Sequence, residues 1–245
     1  LLTVVQGLEN TPLVVVTATS QTLLDRAGEP LGAGLWAMGR VIRRELPALA
    51  CRLLDLAEAE QDAGLPPLLT GDHPGELAWR GGRLYQPRLQ SYRLPTAAAP
   101  IRANASYLVT GGLGELGLLL AQWLLDQGAG AVILLSRRSP TPSQQARLAA
   151  LGPQVHCRQG DVADEAQLTA CWPSLTQDLP SQGLPPLAGI FHLAGLLDDA
   201  PIHQQSWSRF APVLAPKVTG SWLLHRLSRD LNLDHFVAFS SIAPL

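Results

Sequence analysis

The chain has 245 residues, of which 47% are apolar and only 16% charged, with a formal net charge of −2. That length and apolar content suffice for one large core or two modest ones, and the charge balance excludes the broad basic field of a nucleic-acid-binding protein. No apolar run reaches the roughly 20 residues of a membrane span, and LLTVVQGLEN lacks the basic start and cleavage site of a signal peptide, so neither a membrane nor a nucleic acid is expected as partner and the location reads as cytoplasmic.

In chain order, Leu13 to Thr17 (LVVVT) and Cys51 to Leu56 (CRLLDL) read as buried strands, and GLWAMGRVIRREL between them has the apolar spacing of a helix. ELAWRGGRLYQPRL places Gly81 and Gly82 between two strand-like arms, the signature of a hairpin that closes a sheet edge. No glycine-rich loop follows the first strand, so this part has the architecture of a nucleotide-binding unit without the piece that holds phosphate. The segment LPTAAAPIRANA is rich in Ala and Pro without a periodic apolar face. The division expected is residues 1–95 as a non-binding unit, 96–105 as linker and 106–245 as the binding unit.

In the second part, apolar strands are expected near Tyr107 to Val109, Val132 to Leu135, Val155 to Cys157, Gly189 to Leu193 and Phe236 to Phe239, with helical stretches between them. Such alternation predicts an α/β fold with a doubly wound parallel sheet, with ligands at the C-terminal strand ends. After the strand YLV come Thr110, Gly111, Gly112, Leu113, Gly114, Glu115, Leu116 and Gly117, a strand-to-helix turn with glycines in register. There the backbone can approach a pyrophosphate, whose charge is met by free N–H groups and the positive helix end. Leu116, Leu119, Leu120, Trp123 and Leu124 follow with helical spacing and are expected to pack that helix on the sheet.

The next strand ends in Ser136, Arg137 and Arg138 rather than in a carboxylate. A carboxylate there would take the ribose 2′-hydroxyl of NAD, whereas basic residues accommodate a 2′-phosphate, so the expected cofactor is NADPH. Ser136 and Arg137 are the expected phosphate contacts, with Arg138 stacking near adenine. Asp161, followed by Val162, ends the third strand, where its carboxylate can accept from the adenine amino group or cap the next helix. Ala194 and Gly195, after His192 and Leu193, are small enough to admit the nicotinamide ribose. Cys51, Cys157 and Cys171 form no CxxC pair and the six histidines have no metal-ligand spacing, so no metal is assigned.

Taken together, TGGLGELG, LLSRRS, GDV, HLAGLLDD, LAPKVTGSW and FVAFSSIA occur in an order that resembles the ketoreductase domain of modular polyketide synthases, a branch of the short-chain dehydrogenase/reductases. GLWAMGRVIRRELP and AWRGGRLYQPRL resemble that domain's structural subdomain, a truncated Rossmann unit without cofactor. The resemblance implies NADPH-dependent reduction of the β-keto group of an acyl chain borne by an acyl carrier protein, beside other domains of the same megasynthase. By the same resemblance Ser241 is the catalytic serine, able to hydrogen-bond the substrate carbonyl. Lys217 is the catalytic lysine, a cation that lowers the pKa of a neighbouring phenol. Leu197, Asp198 and Asp199 match the LDD signature of B-type domains, which implies substrate guidance and a D-configured β-hydroxyl. The resemblance further implies a catalytic tyrosine about a dozen residues after the serine and an asparagine beyond it. Tyr85, Tyr92 and Tyr107 match neither position, so both residues are expected past Leu245. A non-reducing scaffold domain and a regulatory cofactor-binding module are the alternatives.

Overall fold

The structure is a computed structural model that describes residues 1–23, 28, 32–57, 75–93 and 99–241. The described residues fall into two compact units. One comprises those of Leu1–Leu94 with Ala200–Ser206 and Ser241, the other those of Pro95–Asp199 with Trp207–Ser240.

The first unit contains α1 (Leu2–Gln6), β1 (Val14–Ala18), α2 (Ala33–Glu45), β2 (Arg52–Leu56), β3 (Glu76–Arg80) and β4 (Arg83–Tyr85). The strands lie in the order β1-β2-β3-β4, parallel except for the last pair. Gly81 and Gly82, at φ +57° and +76°, form the two-residue turn between β3 and β4. With both residues left-handed the turn matches the twist of its strands, a conformation glycine adopts without strain. Helix α2 buries Trp36, Gly39 and Ile42, and a Cβ on Gly39 would meet Leu53 Cδ2 at 2.2 Å, so this glycine admits the helix close to β2. Ala200–Ser206, distant in sequence, adds Ile202 to the same core, where Gln6 Nε2 donates to the Ile202 carbonyl at 2.8 Å and Glu45 Oε2 accepts from its N–H at 2.7 Å.

At the C-terminal ends of β1 and β2 stands Asp55, fully buried. Its carboxylate accepts from Thr17 Oγ1 at 2.6 Å and from the Ser20 and Gln21 N–H groups at 2.8 and 3.1 Å, and it pairs with Arg80. Thr17 Oγ1 in turn accepts from Trp36 Nε1 at 2.9 Å. A buried charge persists only when paired and hydrogen-bonded, and here the carboxylate has both kinds of partner. Backbone donors just past the end of β1 are thus taken up by the chain's own anion.

The second unit contains β5 (Ser106–Thr110), α3 (Glu115–Asp126), β6 (Ala131–Ser136), α4 (Pro142–Leu151), β7 (Val155–Gln159), α5 (Glu165–Leu175), β8 (Leu187–His192), α6 (Trp207–Ala215), a π-turn (Pro216–Gly220), α7 (Ser221–Ser228) and β9 (His235–Ala238). All five strands are parallel in the order β7-β6-β5-β8-β9. The order reverses between β5 and β8, and crossovers diverging to either side leave a crevice there at the C-terminal ends. The central strands are apolar apart from Ser106, Thr110, Ser136 and His192 at their ends, and are buried on both faces over nearly their whole length, as covered parallel strands must be.

One expectation is overturned. The face of α3 that packs on the sheet carries Gly117, Leu118, Ala121 and Leu124, while Leu116, Leu119 and Trp123 are exposed. The helix reads ELGLLLAQWLLD, with leucines on every side, so apolar periodicity does not select the buried face. Small residues select it: a Cβ on Gly117 would stand 2.7 Å from the Gly111 carbonyl and from Gly112. The helix therefore seats along Gly117 and Ala121, where its backbone comes nearest.

Candidate active site

A cleft of about 510 Å³ opens at the C-terminal ends of β5 to β8 in the second unit. Three segments frame it: the turn after β5 (Gly111, Leu113, Gly114), the end of β6 (Ser136, Arg137, Arg138) and the turn after β7 (Gly160, Asp161, Val162). Ala194 and Gly195 after β8, and Pro212, Ala215 and Pro216 from α6 and the π-turn, complete the wall.

The glycine turn is built by close approach. Gly111 has φ +68°, and a Cβ there would lie 2.9 Å from the backbone of Ala194. Its N–H donates to the Leu135 carbonyl at 3.0 Å, and its carbonyl accepts from Gly114 N–H at 3.0 Å. Gly112 is buried against Leu134. Gly114 is the N-cap of α3, exposed and without a side chain to satisfy the first-turn N–H groups, which leaves those donors and the positive helix end for an anion. Thr110, Gly112 and Gly117 thus shape the loop from behind, Leu116 projects to solvent, and Gly111, Leu113 and Gly114 face the cleft.

Two side chains that the sequence did not single out brace this loop. Gln144 Nε2 donates to the Leu113 carbonyl at 2.7 Å while its Oε1 accepts from Thr141 N–H at 2.9 Å, so the capping box of α4 also clamps the glycine turn. Thr141 followed by Gln144 is a legible capping signature, although its reach to Leu113 is not. Arg147 bridges to Glu115 at 2.6 Å beside it. At the end of β6, Gln159 Nε2 holds the Arg137 carbonyl at 3.1 Å, leaving both guanidinium groups exposed. Neither arginine is in an ion pair among the described residues.

Asp161 is half-buried and its Oδ1 accepts from Ala163 N–H at 2.9 Å. It does not cap the following helix; Asp164 does, accepting from Gln167 N–H at 3.0 Å, a bond that lowers the Asp164 pKa. Val162 is buried under Gly220 of the π-turn.

Pro212 and Pro216 lack the N–H that a regular helix needs, and at Pro216–Gly220 the winding loosens into the π-turn. Lys217 sits in it, exposed, with Nζ donating to the Phe239 carbonyl at 3.2 Å. A Cβ on Gly195 would approach Lys217 Cε at 3.0 Å, so the glycine leaves room for the lysine beside the cleft wall. Lys217 is also the sole lysine among 18 basic residues, a signal that composition alone would have exposed. Asp198 is paired with Arg209 of α6, whose guanidinium also reaches the Asp199 carbonyl at 3.4 Å, while Leu197 is exposed. Ser241 is exposed three residues past β9 and falls in the first unit; it is not among the residues lining the cleft.

The geometry offers backbone donors for a diphosphate, two cations for a further phosphate one strand away, and a slot of small residues leading to a lysine. Among known proteins, the family described as the KR domain matches residues 105–245. A phenolphthiocerol/phthiocerol polyketide synthase polypeptide of Mycobacterium tuberculosis is 35% identical over 90% of this chain and 12% of its own length. The PKS-NRPS hybrid synthetase acdB of Aspergillus candidus is 36% identical over 94% of this chain and 10% of its own. Among solved structures, the ketoreductase from the first module of phoslactomycin biosynthesis in Streptomyces sp. HK803 superposes with a TM-score of 0.80 at 32% identity, covering 98% of this chain and 58% of that one. An A1-type ketoreductase gives 0.79 at 33% identity, over 99% and 53%. The chain thus spans about a tenth of the length of these curated relatives and a little over half of these solved chains. The chain belongs to the ketoreductase domains of modular polyketide synthases.

Proposed function

We propose that this domain binds NADPH in the cleft and reduces the β-keto group of an acyl chain carried by an acyl carrier protein, beside other domains of one synthase. The observation that carries the reading is the joint placement of the Gly111–Gly114 turn and the Arg137–Arg138 pair on one cleft at adjacent strand ends. The cradle fits the cofactor, because Gly114 brings no side chain to the cleft at the helix end, while Gly111 lets the turn pass close against Ala194. When bound, the reduced dinucleotide supplies the hydride.

The chain's own residues bind the cofactor and orient the substrate. Backbone N–H groups at the start of α3 receive the diphosphate, Thr110, Gly112 and Gly117 hold the turn in shape, and Leu113 and Leu116 border it. Ser136 and Arg137 take the 2′-phosphate, which a planar guanidinium meets with paired hydrogen bonds, and Arg138 stacks near adenine. Asp161 and Val162 bound the adenine pocket; Ala194 and Gly195 admit the nicotinamide ribose. Ser241 hydrogen-bonds the substrate carbonyl, and Lys217 holds positive charge near the group that protonates the new alkoxide. Leu197, Asp198 and Asp199, tethered through Arg209, guide the substrate to give a D-configured hydroxyl. The A1-type neighbour makes stereochemistry the sharpest part of this reading to test.

Fluorescence titration with NADPH and NADH, followed by turnover of a β-ketoacyl thioester by the complete polypeptide with chiral analysis of the product, decides it. The reading requires NADPH binding that Arg137→Ala weakens, and a D-configured alcohol. Saturable binding without turnover would favour a regulatory module; absence of binding would favour a scaffold.

A further inference from the structure

Lys217, beside the cleft wall, stands on a turn where two prolines interrupt the bonding that would hold a helix regular. The group that holds it lies on the sheet. His192, the last residue of β8, is 1% exposed, and its Nε2 lies 2.8 Å from the carbonyl oxygen of Pro216, the residue before Lys217. A carbonyl only accepts, so Nε2 carries the proton. The other ring nitrogen, Nδ1, lies 2.6 Å from Thr110 Oγ1 at the end of β5. Thr110 Oγ1 already accepts from Ala194 N–H at 3.3 Å, so its own proton is free for Nδ1. The chain of donors runs in one direction, from Ala194 through Thr110 and His192 to Pro216, with a neutral imidazole in the middle.

His192 also acts through its backbone. Its carbonyl accepts from Phe239 N–H at 3.0 Å, and the Phe239 carbonyl is the acceptor of Lys217 Nζ. Both ends of Lys217, the main chain that carries it and the oxygen that receives its ammonium, are therefore referred to the same buried residue. Burial lowers the His192 pKa, the bond to Pro216 opposes this, and the Lys217 cation adds to the lowering, which agrees with a neutral ring.

We propose that His192 is a positioning residue for Lys217, fixing the π-turn and the ammonium against the end of the glycine-loop strand. The proposal rests on the ketoreductase reading for the lysine's chemistry, but the placement is geometric. It is tested in the complete polypeptide with His192→Leu, His192→Gln, Lys217→Ala and the double variant His192→Leu/Lys217→Ala, using NADPH and a β-ketoacyl N-acetylcysteamine thioester. His192→Leu should lower kcat by about 10²-fold, the effect of a small misplacement of a reacting group, while the Kd for NADPH and the KM for the thioester stay near wild type. His192→Gln, whose amide can donate to Pro216 and accept from Thr110, should recover most of the loss. The double variant should be no slower than Lys217→Ala alone, within about threefold; losses that multiply would overturn the proposal. A second readout needs no turnover: the acetylation rate of Lys217, followed by peptide mass spectrometry, should change in His192→Leu and return in His192→Gln. An unchanged rate in a folded His192→Leu protein overturns the positioning role. Changed labelling with no reduction by wild type would instead refute the ketoreductase reading and leave the placement standing.

Discussion

Gly111→Ala and Gly114→Ala separate a glycine needed by the fold from one needed by a ligand. At Gly111 the backbone is left-handed, which costs a residue with a Cβ about 1–2 kcal/mol. The new methyl would also stand 2.9 Å from Ala194 backbone atoms that are held by bonds to Thr110, and overpacking of this kind adds about 1–3 kcal/mol. The sum is about 3 kcal/mol, or roughly 6–12 °C in Tm for a domain of this size. At Gly114 the φ is −75° and ψ 165°, an ordinary extended conformation, and the new methyl would meet only the Gly111 carbonyl at 3.2 Å. Replacing glycine by alanine at an N-cap costs about 0.5 kcal/mol, so the Tm should fall by no more than about 2 °C. Gly114 lines the cleft, however, and NADPH should bind its alanine variant at least about tenfold more weakly, equivalent to about 1.4 kcal/mol. Thermal melts followed by fluorescence titration measure both quantities. The reasoning is refuted if Gly111→Ala melts with wild type, or if Gly114→Ala binds NADPH unchanged.

Three further outcomes follow from the same geometry. Arg137→Gln should weaken NADPH by about 10- to 100-fold, the range for hydrogen bonds to a charged group, and leave NADH unchanged in parallel titrations; an equal loss for both would place the guanidinium elsewhere. Arg80→Met leaves the buried Asp55 carboxylate without its counter-charge and should destabilise the first unit by about 3–5 kcal/mol in urea unfolding, whereas an unchanged midpoint would mean that water reaches Asp55. The buried, neutral His192 binds its proton less readily folded than unfolded. The stability it contributes is thus present above its ordinary value of 6.5 and is lost as the pH falls from there toward the depressed folded value. Urea midpoints should drop across that interval and His192→Gln should flatten the drop; an equal drop in the variant would assign it to other groups.

The sheet of the second unit is legible because its strands are short apolar runs bounded by turn residues, and the glycine turn because it falls between one such run and a longer leucine-rich stretch. The buried face of α3 is not, since leucines surround that helix and the choice is made by a backbone contact at Gly117. Asp161 illustrates a different limit. Two aspartates three residues apart both suit a helix start, and only the folded backbone assigns the cap to Asp164. The clamp from Gln144, the tie between Asp198 and Arg209, and the return of Ile202 to the first core join residues 31, 11 and 196 apart. No local pattern encodes such separations. His192 reads as one more apolar-strand terminus until its two ring nitrogens are seen to be occupied.

Asp55 gives the first sheet something that resembles permanent occupancy. A carboxylate joined by a covalent bond to β2 never dissociates, so the N–H groups of Ser20 and Gln21 meet an anion at an effective concentration that no dissolved metabolite can match. Those two donors are thereby held by the chain itself, whatever anions the surrounding solution contains.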